Sequence, residues 1–176
     1  MDGKQQIQKA YESILDNDFE QAIEWFEQAV AREPENADYH YKISITYARS
    51  NKLNKALAHA HTASELAAGN EEYRFHLQNL QALEMARLAE QRLQHSSGQP
   101  DAAISLLKRA IALDPLCVDA HILLGIAYKH NGDYDLAAEA VKEALKLDPQ
   151  HQTAKRLLDD YEYMQKQMLQ QAKERN

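Results

Sequence analysis

Pairs of small residues recur along the chain, and the two members of each pair are seven positions apart. Seven residues make about two turns of an α-helix, so both members lie on one helix face and let a neighbouring helix approach closely. Successive pairs are offset by 34, 47 and 34 residues. The pairs are Ala22/Ala29, Ala56/Ala63, Ala103/Ala110 and Ala137/Ala144. This spacing predicts four copies of one helical unit, the third carrying 13 extra residues.

The stretch from His121 to Pro149 is the best-preserved copy. Its first helix carries Leu124, Gly125 and Tyr128, and its turn is Asn131-Gly132-Asp133. Its second helix carries Ala137, Val141 and Ala144 and ends at Asp148-Pro149. These positions resemble the tetratricopeptide repeat pattern, with His121 in place of the Trp and Val141 in place of the Phe.

The resemblance implies an all-α fold: an α-solenoid of helix-turn-helix tetratricopeptide repeats with a C-terminal capping helix. We expect one domain over residues 1–176, with repeats at about 3–36, 37–70, 71–117 and 118–151 and a capping helix at 152–175. The 13 extra residues extend the first helix of the third repeat, which is expected to run from Glu71 to about His95. The alternative is a break near Glu84. The capping helix is predicted from an apolar stripe at three- and four-residue steps that includes Leu157, Tyr161 and Met168.

Composition narrows the functional classes. A net charge of −7 and a pI near 5.6 argue against a nucleic-acid partner, which would need a basic stripe. Cys117 is the only cysteine, so no intrachain disulfide is possible. The sequence shows no signal peptide, lipid-anchor motif or apolar run long enough to span a membrane. We therefore expect a cytoplasmic protein without a membrane partner.

No arrangement of residues predicts catalysis, so the expected protein is not an enzyme and carries no cofactor or metal. His59 and His61 are two apart and point away from each other on a helix. The run His95-Ser96-Ser97-Gly98 lies where a turn is needed and lacks a supporting motif. His121 is interpreted as a histidine packed between helices, and Cys117 as buried rather than reactive.

The resemblance also implies a ligand groove lined by the first helix of each repeat. At repeat positions 5, 9 and 12 this sequence places mostly aromatic and aliphatic side chains, among them Ile7, Ile14, Ala48 and Ala82, whereas Lys129 takes position 12 of the fourth repeat. The residues predicted to bind a partner in the groove are Tyr11, Tyr41, Ile45, Phe75, Asn79, Ile122 and Ile126. A possible second surface consists of Met85, Leu88, Leu93, Met164 and Met168.

The groove chemistry favours an apolar or amphipathic segment of another protein. Relatives that bind acidic chaperone tails use a clamp of Lys, Asn and Arg. Here position 2 is acidic in three of four repeats, as Asp38, Glu72 and Asp119 beside Lys4, which argues against that clamp. The expected function is a non-catalytic adaptor or scaffold. The alternatives are a dedicated chaperone of a secreted or assembling protein, a self-associating structural protein such as a homodimer, and groove residues that simply pack on one another.

Overall fold

The computed structural model describes residues 2–94 and 100–174. Within these ranges the chain forms nine α-helices and no strand, as the composition predicts. The helices are α1 Gly3–Leu15, α2 Phe19–Arg32, α3 Ala37–Arg49, α4 Leu53–Leu66, α5 Glu71–Gln94, α6 Pro100–Leu113, α7 Val118–His130, α8 Tyr134–Leu147 and α9 Gln152–Glu174.

The helices pack as consecutive pairs. Helix α1 packs on α2, α3 on α4 and α7 on α8, and α9 packs on α8. All eight residues of the four small-residue pairs are 0% exposed, so the side chains that predicted the repeat lie where helices meet. Substituting any of them with a larger side chain would overpack these contacts.

Helix α5 is twice as long as an ordinary first helix of a pair. It continues through Glu84 without a break and has 24 described residues, from Glu71 to Gln94. Asn70 caps it, because its side-chain oxygen accepts from the backbone N–H of Glu72 and Tyr73 at 2.9 and 3.3 Å. His95, at which the sequence placed the end of this helix, lies outside the described residues.

The chain divides into two compact units, Met1–Leu80 and Gln81–Asn176, so the division falls inside α5. The single four-repeat domain and its repeat boundaries therefore stay predictions. The first unit has a core built around Phe26, Ile43 and Tyr47. Trp25 packs against this core, with the Lys9 ammonium 4.7 Å from its ring centroid. The second unit has its own core around Leu107, Val141 and Tyr161.

The turns between paired helices share one backbone geometry. Asn17, Asn51 and Gly132 have φ values of 61°, 56° and 84°, which is the left-handed region. These positions are 34 and 81 residues apart, and 81 is the sum of the second and third offsets of the small-residue pairs, 47 and 34. Asn and Gly are the residues that adopt this conformation at least cost, so the turn chemistry follows the repeat. The corresponding turn after α5 lies outside the described residues.

One histidine hydrogen bond recurs in two repeats. The Nε2 atoms of His40 and His121 lie 2.9 and 3.1 Å from the carbonyl oxygens of Pro34 and Pro115, six residues earlier in each case. A histidine at the signature aromatic position thus ties the start of a helix to the preceding loop. This agrees with the interpretation of His121 as a packed, structural histidine.

Candidate functional site

The first helices of the pairs in the first unit, α1, α3 and the start of α5, carry most of the predicted groove residues. Tyr11 is 45% exposed and packs edge-to-face on Phe26, with the ring centroids 5.9 Å apart. Tyr41 and Ile45 on α3 are half-buried, whereas Asn79 on α5 is exposed. Phe75 is 52% exposed. Large aromatic side chains that keep this much surface in water are candidates for contact with another molecule.

Tyr41 is held in a defined position by three contacts. Its ring packs against that of Tyr73 at an interplanar angle of 31° with centroids 4.6 Å apart, and it lies at right angles to the His76 ring with centroids 5.3 Å apart. Its hydroxyl donates to Glu72 Oε1 at 2.9 Å. Burial, followed by this hydrogen bond and the charge of Glu72, raises the pKa of Tyr41 to about 12. The side chain is therefore neutral and held in one orientation, so a contact made by it would cost little conformational freedom.

Phe75 lies one helical turn after Glu72 on α5. The guanidinium of Arg74 lies 5.2 Å from the Phe75 ring centroid and also pairs with Glu71 at 3.4 Å. We call Tyr41, Ile45 and Phe75, which occupy the predicted groove positions of α3 and α5, the aromatic face of the first unit. Tyr73, two residues before Phe75, lies on another side of α5, where it is buried and packs against Tyr41.

A hydrogen-bonded histidine supports the aromatic face from behind. Ser44 Oγ donates to the carbonyl of Ala56 at 2.7 Å, and it accepts from Nε2 of His76 at 2.8 Å. Burial lowers the pKa of His76, which favours the neutral ring. Because the Ser44 hydroxyl already donates to Ala56, the proton of the neutral ring is assigned to Nε2. The edge of His76 that meets Tyr41 is thereby fixed.

A second histidine contact lies deeper in the same unit. The Nδ1 atoms of His40 and His59 are 2.9 Å apart, and His59 also stacks on Tyr47 with ring centroids 5.6 Å apart. Because Nε2 of His40 donates to Pro34, its Nδ1 accepts and His59 Nδ1 donates. Burial, and then the neighbouring His40, lower the pKa of His59. This pair belongs to the packing of the unit and not to its surface.

An open pocket of about 750 Å³ reaches Tyr73, which packs against Tyr41 of the aromatic face. It lies between the loop from α2 to α3 and the loop from α4 to α5, and Tyr73 forms part of its wall. Three carboxylates line it, from Glu33, Glu35 and Asp38. Asp38 pairs with Lys42 on the next turn of α3. We call this cavity the acidic pocket.

The groove residues predicted in the second unit, Ile122 and Ile126, pack against its core. Ile122 is only 7% exposed and belongs to the core, and Ile126 is half-buried against the same core. Of the second predicted surface, Met85 and Leu93 are also partly buried against this core. Leu88, Met164 and Met168 are exposed. Position 5 of the repeat is therefore exposed to solvent at Phe75 and buried at Ile122.

Tyr73, His76 and the acidic pocket were not predicted from the sequence. Tyr73 and His76 occupy positions 3 and 6 of the third repeat, outside the positions mapped to the groove. A tyrosine two residues before Phe75, on the same helix, is the only signal that could have drawn attention to this site. The pocket arises from two loops that are distant in sequence, and no local pattern predicts it.

Among the described residues, no group of three or more His, Cys, Asp or Glu side chains is placed to hold a metal ion. Burial raises the pKa of the Cys117 thiol, which opposes formation of a reactive thiolate. No helix within the described ranges is both long and apolar enough to cross a membrane.

Comparison with known proteins gives matches over most of the chain. Two tetratricopeptide repeat models match residues 13–83 and 88–152. Among solved structures, MamA from residue 41 to its end, from Desulfovibrio magneticus RS-1, is 16% identical with a TM-score of 0.57, over 97% of this chain and 89% of that one. MamA AMB-1 is 19% identical with a TM-score of 0.55, over 92% and 82% of the two chains. A search of curated protein sequences gives no match.

A chain from the APC/C hetero-tetramer Cut9–Hcn1 is similar over a shorter part of its own length. It is 18% identical with a TM-score of 0.50, and the match covers 92% of this chain and 30% of that one. At such identities the likeness shows the fold alone. It confirms the predicted all-α solenoid of helix-turn-helix units, and α9 packed on α8 is the predicted capping helix.

Proposed function

The chain belongs to the tetratricopeptide repeat family, a fold of protein-interaction scaffolds, and from that premise we propose that it is a non-catalytic adaptor whose first unit binds an apolar or amphipathic segment of another protein. The observation that carries the proposal is the aromatic face, where Tyr41 is fixed by three contacts and Phe75 remains 52% exposed. The cytoplasmic location favoured by the sequence is part of this proposal.

The physical argument concerns where binding energy can come from. Pre-oriented aromatic side chains bury a large area on binding and lose little rotamer entropy, so they are frequent anchors in interfaces. A partner that covers Phe75 and Ile45 would remove apolar surface from water at about 25 cal/mol per Å² before the costs of association. The same face lacks the inward cations of an acidic-tail clamp, because Asp38 and Glu72 occupy two of its position-2 sites.

The test is capture of partners by the full chain compared with the variant Tyr41→Ala plus Phe75→Ala. Partners retained by the wild type and identified by mass spectrometry should be lost by the variant. Circular dichroism must show that the variant keeps its helix content, and Phe75→Glu alone serves as a milder change at an exposed position. If both folded variants retain the same partners at the same yield, this function is refuted.

A self-associating protein is the second candidate, and exposed apolar residues on α9 favour it. Tyr163, Met168 and Leu169 are 61%, 52% and 64% exposed. Light scattering over a range of concentrations would show a dimer that Met168→Lys plus Leu169→Lys converts to a monomer. A wild-type monomer at every concentration would eliminate this candidate.

A further inference from the structure

The surface next to the aromatic face carries an excess of negative charge. Residues 1–80 contain 13 Asp and Glu against 8 Lys and Arg, a net charge of −5. Near the face, the two cations Lys42 and Arg74 are already paired, with Asp38 and Glu71 respectively. Glu33 and Glu35 form no ion pair within the described residues. Their charges are therefore available to an incoming cation.

The acidic pocket and the aromatic face are linked through Tyr73. Tyr73 lines the pocket, and its ring packs against the ring of Tyr41. Asp38 lines the pocket one helical turn before Tyr41 on α3. A single extended or helical segment could therefore occupy both. The volume of about 750 Å³ lies within the range of pockets that hold drug-sized ligands, and so admits a long basic side chain.

Glu33 is held ready for such a contact. Asn36 Nδ2 donates to Glu33 Oε2 at 3.0 Å and the Tyr39 hydroxyl donates to Glu33 Oε1 at 3.5 Å, which restrains the carboxylate without neutralising it. Charge-assisted hydrogen bonds from Arg or Lys to carboxylates are among the stronger polar contacts, and Arg also packs well beside aromatic rings. An acidic segment would meet repulsion at the same place, so the charge distribution selects the partner by exclusion as well as by attraction.

We propose that the partner of the first unit is a protein segment in which Arg or Lys lies next to aromatic or long aliphatic residues. The basic side chain enters the acidic pocket between Glu33, Glu35 and Asp38, and the apolar residues cover Tyr41 and Phe75. This inference rests on the proposed adaptor function and names the class of segment that it recognises.

The experiment uses a phage-displayed library of random 12-residue peptides selected against the full-length chain. Enriched sequences should combine at least one Arg or Lys with neighbouring aromatic or aliphatic residues. The two most enriched peptides are then synthesised with a fluorescent label, together with matched peptides in which Gln replaces each Arg and Lys. Their dissociation constants are measured by fluorescence anisotropy.

Two double variants separate the contributions of charge. Glu33→Gln plus Glu35→Gln keeps one acceptor oxygen on each side chain but removes both charges, and should weaken the basic peptides about fivefold to tenfold. The matched control is Glu24→Gln plus Glu65→Gln, which removes two exposed charges on α2 and α4 and should change affinity less than twofold. Raising NaCl from 50 to 300 mM should weaken the basic peptides but not their Gln counterparts.

The outcomes separate a failure of the basic-partner inference from a failure of the proposed adaptor function. If Phe75→Glu or Tyr41→Ala plus Phe75→Ala abolishes binding, but peptides show no basic enrichment or ignore the loss of Glu33 and Glu35, the basic-partner inference fails and the groove function stands. If enriched peptides bind these face variants as tightly as the wild type, or if no peptide is enriched, both fail.

Discussion

Ser44 and Gly125 occupy the same position in two repeats, and each fits against the second helix of its repeat in a different way. Ser44 donates to the carbonyl of Ala56, whereas a Cβ added at Gly125 would lie 2.6 Å from Val141 Cγ2 and 3.0 Å from the carbonyl oxygen of Ala137. In the earlier repeat the position of Val141 is taken by Ala60, which leaves room for the serine. The pair of residues, and not either one alone, determines the fit.

This relation predicts a specific coupling between two substitutions. Gly125→Ser should destabilise the protein by about 2 kcal/mol, because the stiff valine cannot move aside. Val141→Ala should also destabilise it, since Val141 is fully buried. The double variant recreates the Ser44/Ala60 pair and should cost at least about 1 kcal/mol less than the two effects combined. Urea unfolding followed by circular dichroism measures all four proteins, and strict additivity would contradict the prediction.

Two half-buried histidines predict how the free energy of unfolding changes with pH. Burial lowers the pKa of both His59 and His76 in the folded protein, whereas the unfolded chain has the ordinary value near 6.5. Below about pH 6.5 the unfolded state therefore binds more protons, and the free energy of unfolding should fall as pH drops from 7 towards 5. Urea titrations at pH 7.5, 6 and 5 measure this.

The control for the pH prediction is the variant His59→Gln plus His76→Gln. Its stability should depend less on pH over the same interval, whatever its absolute value. A wild-type free energy of unfolding that is constant or increases between pH 7 and pH 5 would show that these rings do not remain neutral in the folded state.

At the scale of elements, α9 has two parts with different roles. Its first part packs on α8 and buries Ala154 and Tyr161, the latter to 3% exposure. Gln165 Nε2 donates to Asp135 Oδ1 at 2.6 Å, at the start of α8. Beyond this contact the helix continues to Glu174 and exposes Met168 and Leu169. Capping of the last repeat requires the first part only.

Two truncations test this division of α9. Removing residues 166–176 should change the free energy of unfolding by less than about 1 kcal/mol, because the lost side chains are mostly exposed. Removing residues 152–176 uncovers the core around Val141 and should cost more than about 3 kcal/mol, comparable to deleting one large buried aromatic side chain. Equal melting temperatures for the two truncated proteins would refute the distinction.

The helices were predictable from the sequence because local spacing determines them. The Ala22/Ala29 type of pair marks the contact between helices, and α5 lacks any Gly or Pro that would end it early.

The solvent exposure of side chains along the first helices was less predictable. Phe75 and Ile122 share a repeat position, yet one is open and the other belongs to a core, because exposure depends on which neighbouring side chains cover a residue. The stacking of Tyr73 on Tyr41 likewise depends on two helices from different repeats.

At the scale of the whole molecule, each unit has a core of its own. Phe26 and Leu107, which are 1% and 0% exposed, are central residues of the first and second core. In repeat proteins stability is approximately a sum of local terms and neighbour terms, so damage to one core should remain largely local. The two compact units therefore predict regional and not uniform responses to mutation.

Hydrogen exchange measured by mass spectrometry checks this regional response. Phe26→Ala should increase exchange mainly in α1–α4, and Leu107→Ala mainly in α6–α9, each substitution costing about 3 kcal/mol locally. The two variants serve as controls for each other. An equal rise in exchange over both units in both variants would show that the chain unfolds as one cooperative body.

The position of Trp25 has an optical consequence. It is the only tryptophan of the chain, it packs against the core of the first unit, and the charge of Lys9 lies beside its ring. Fluorescence excited at wavelengths that tyrosine does not absorb therefore comes from the first unit alone. Its emission wavelength reports on the unfolding of that unit without a label. Far-ultraviolet circular dichroism sums all helices, so the difference between the two signals follows the second unit.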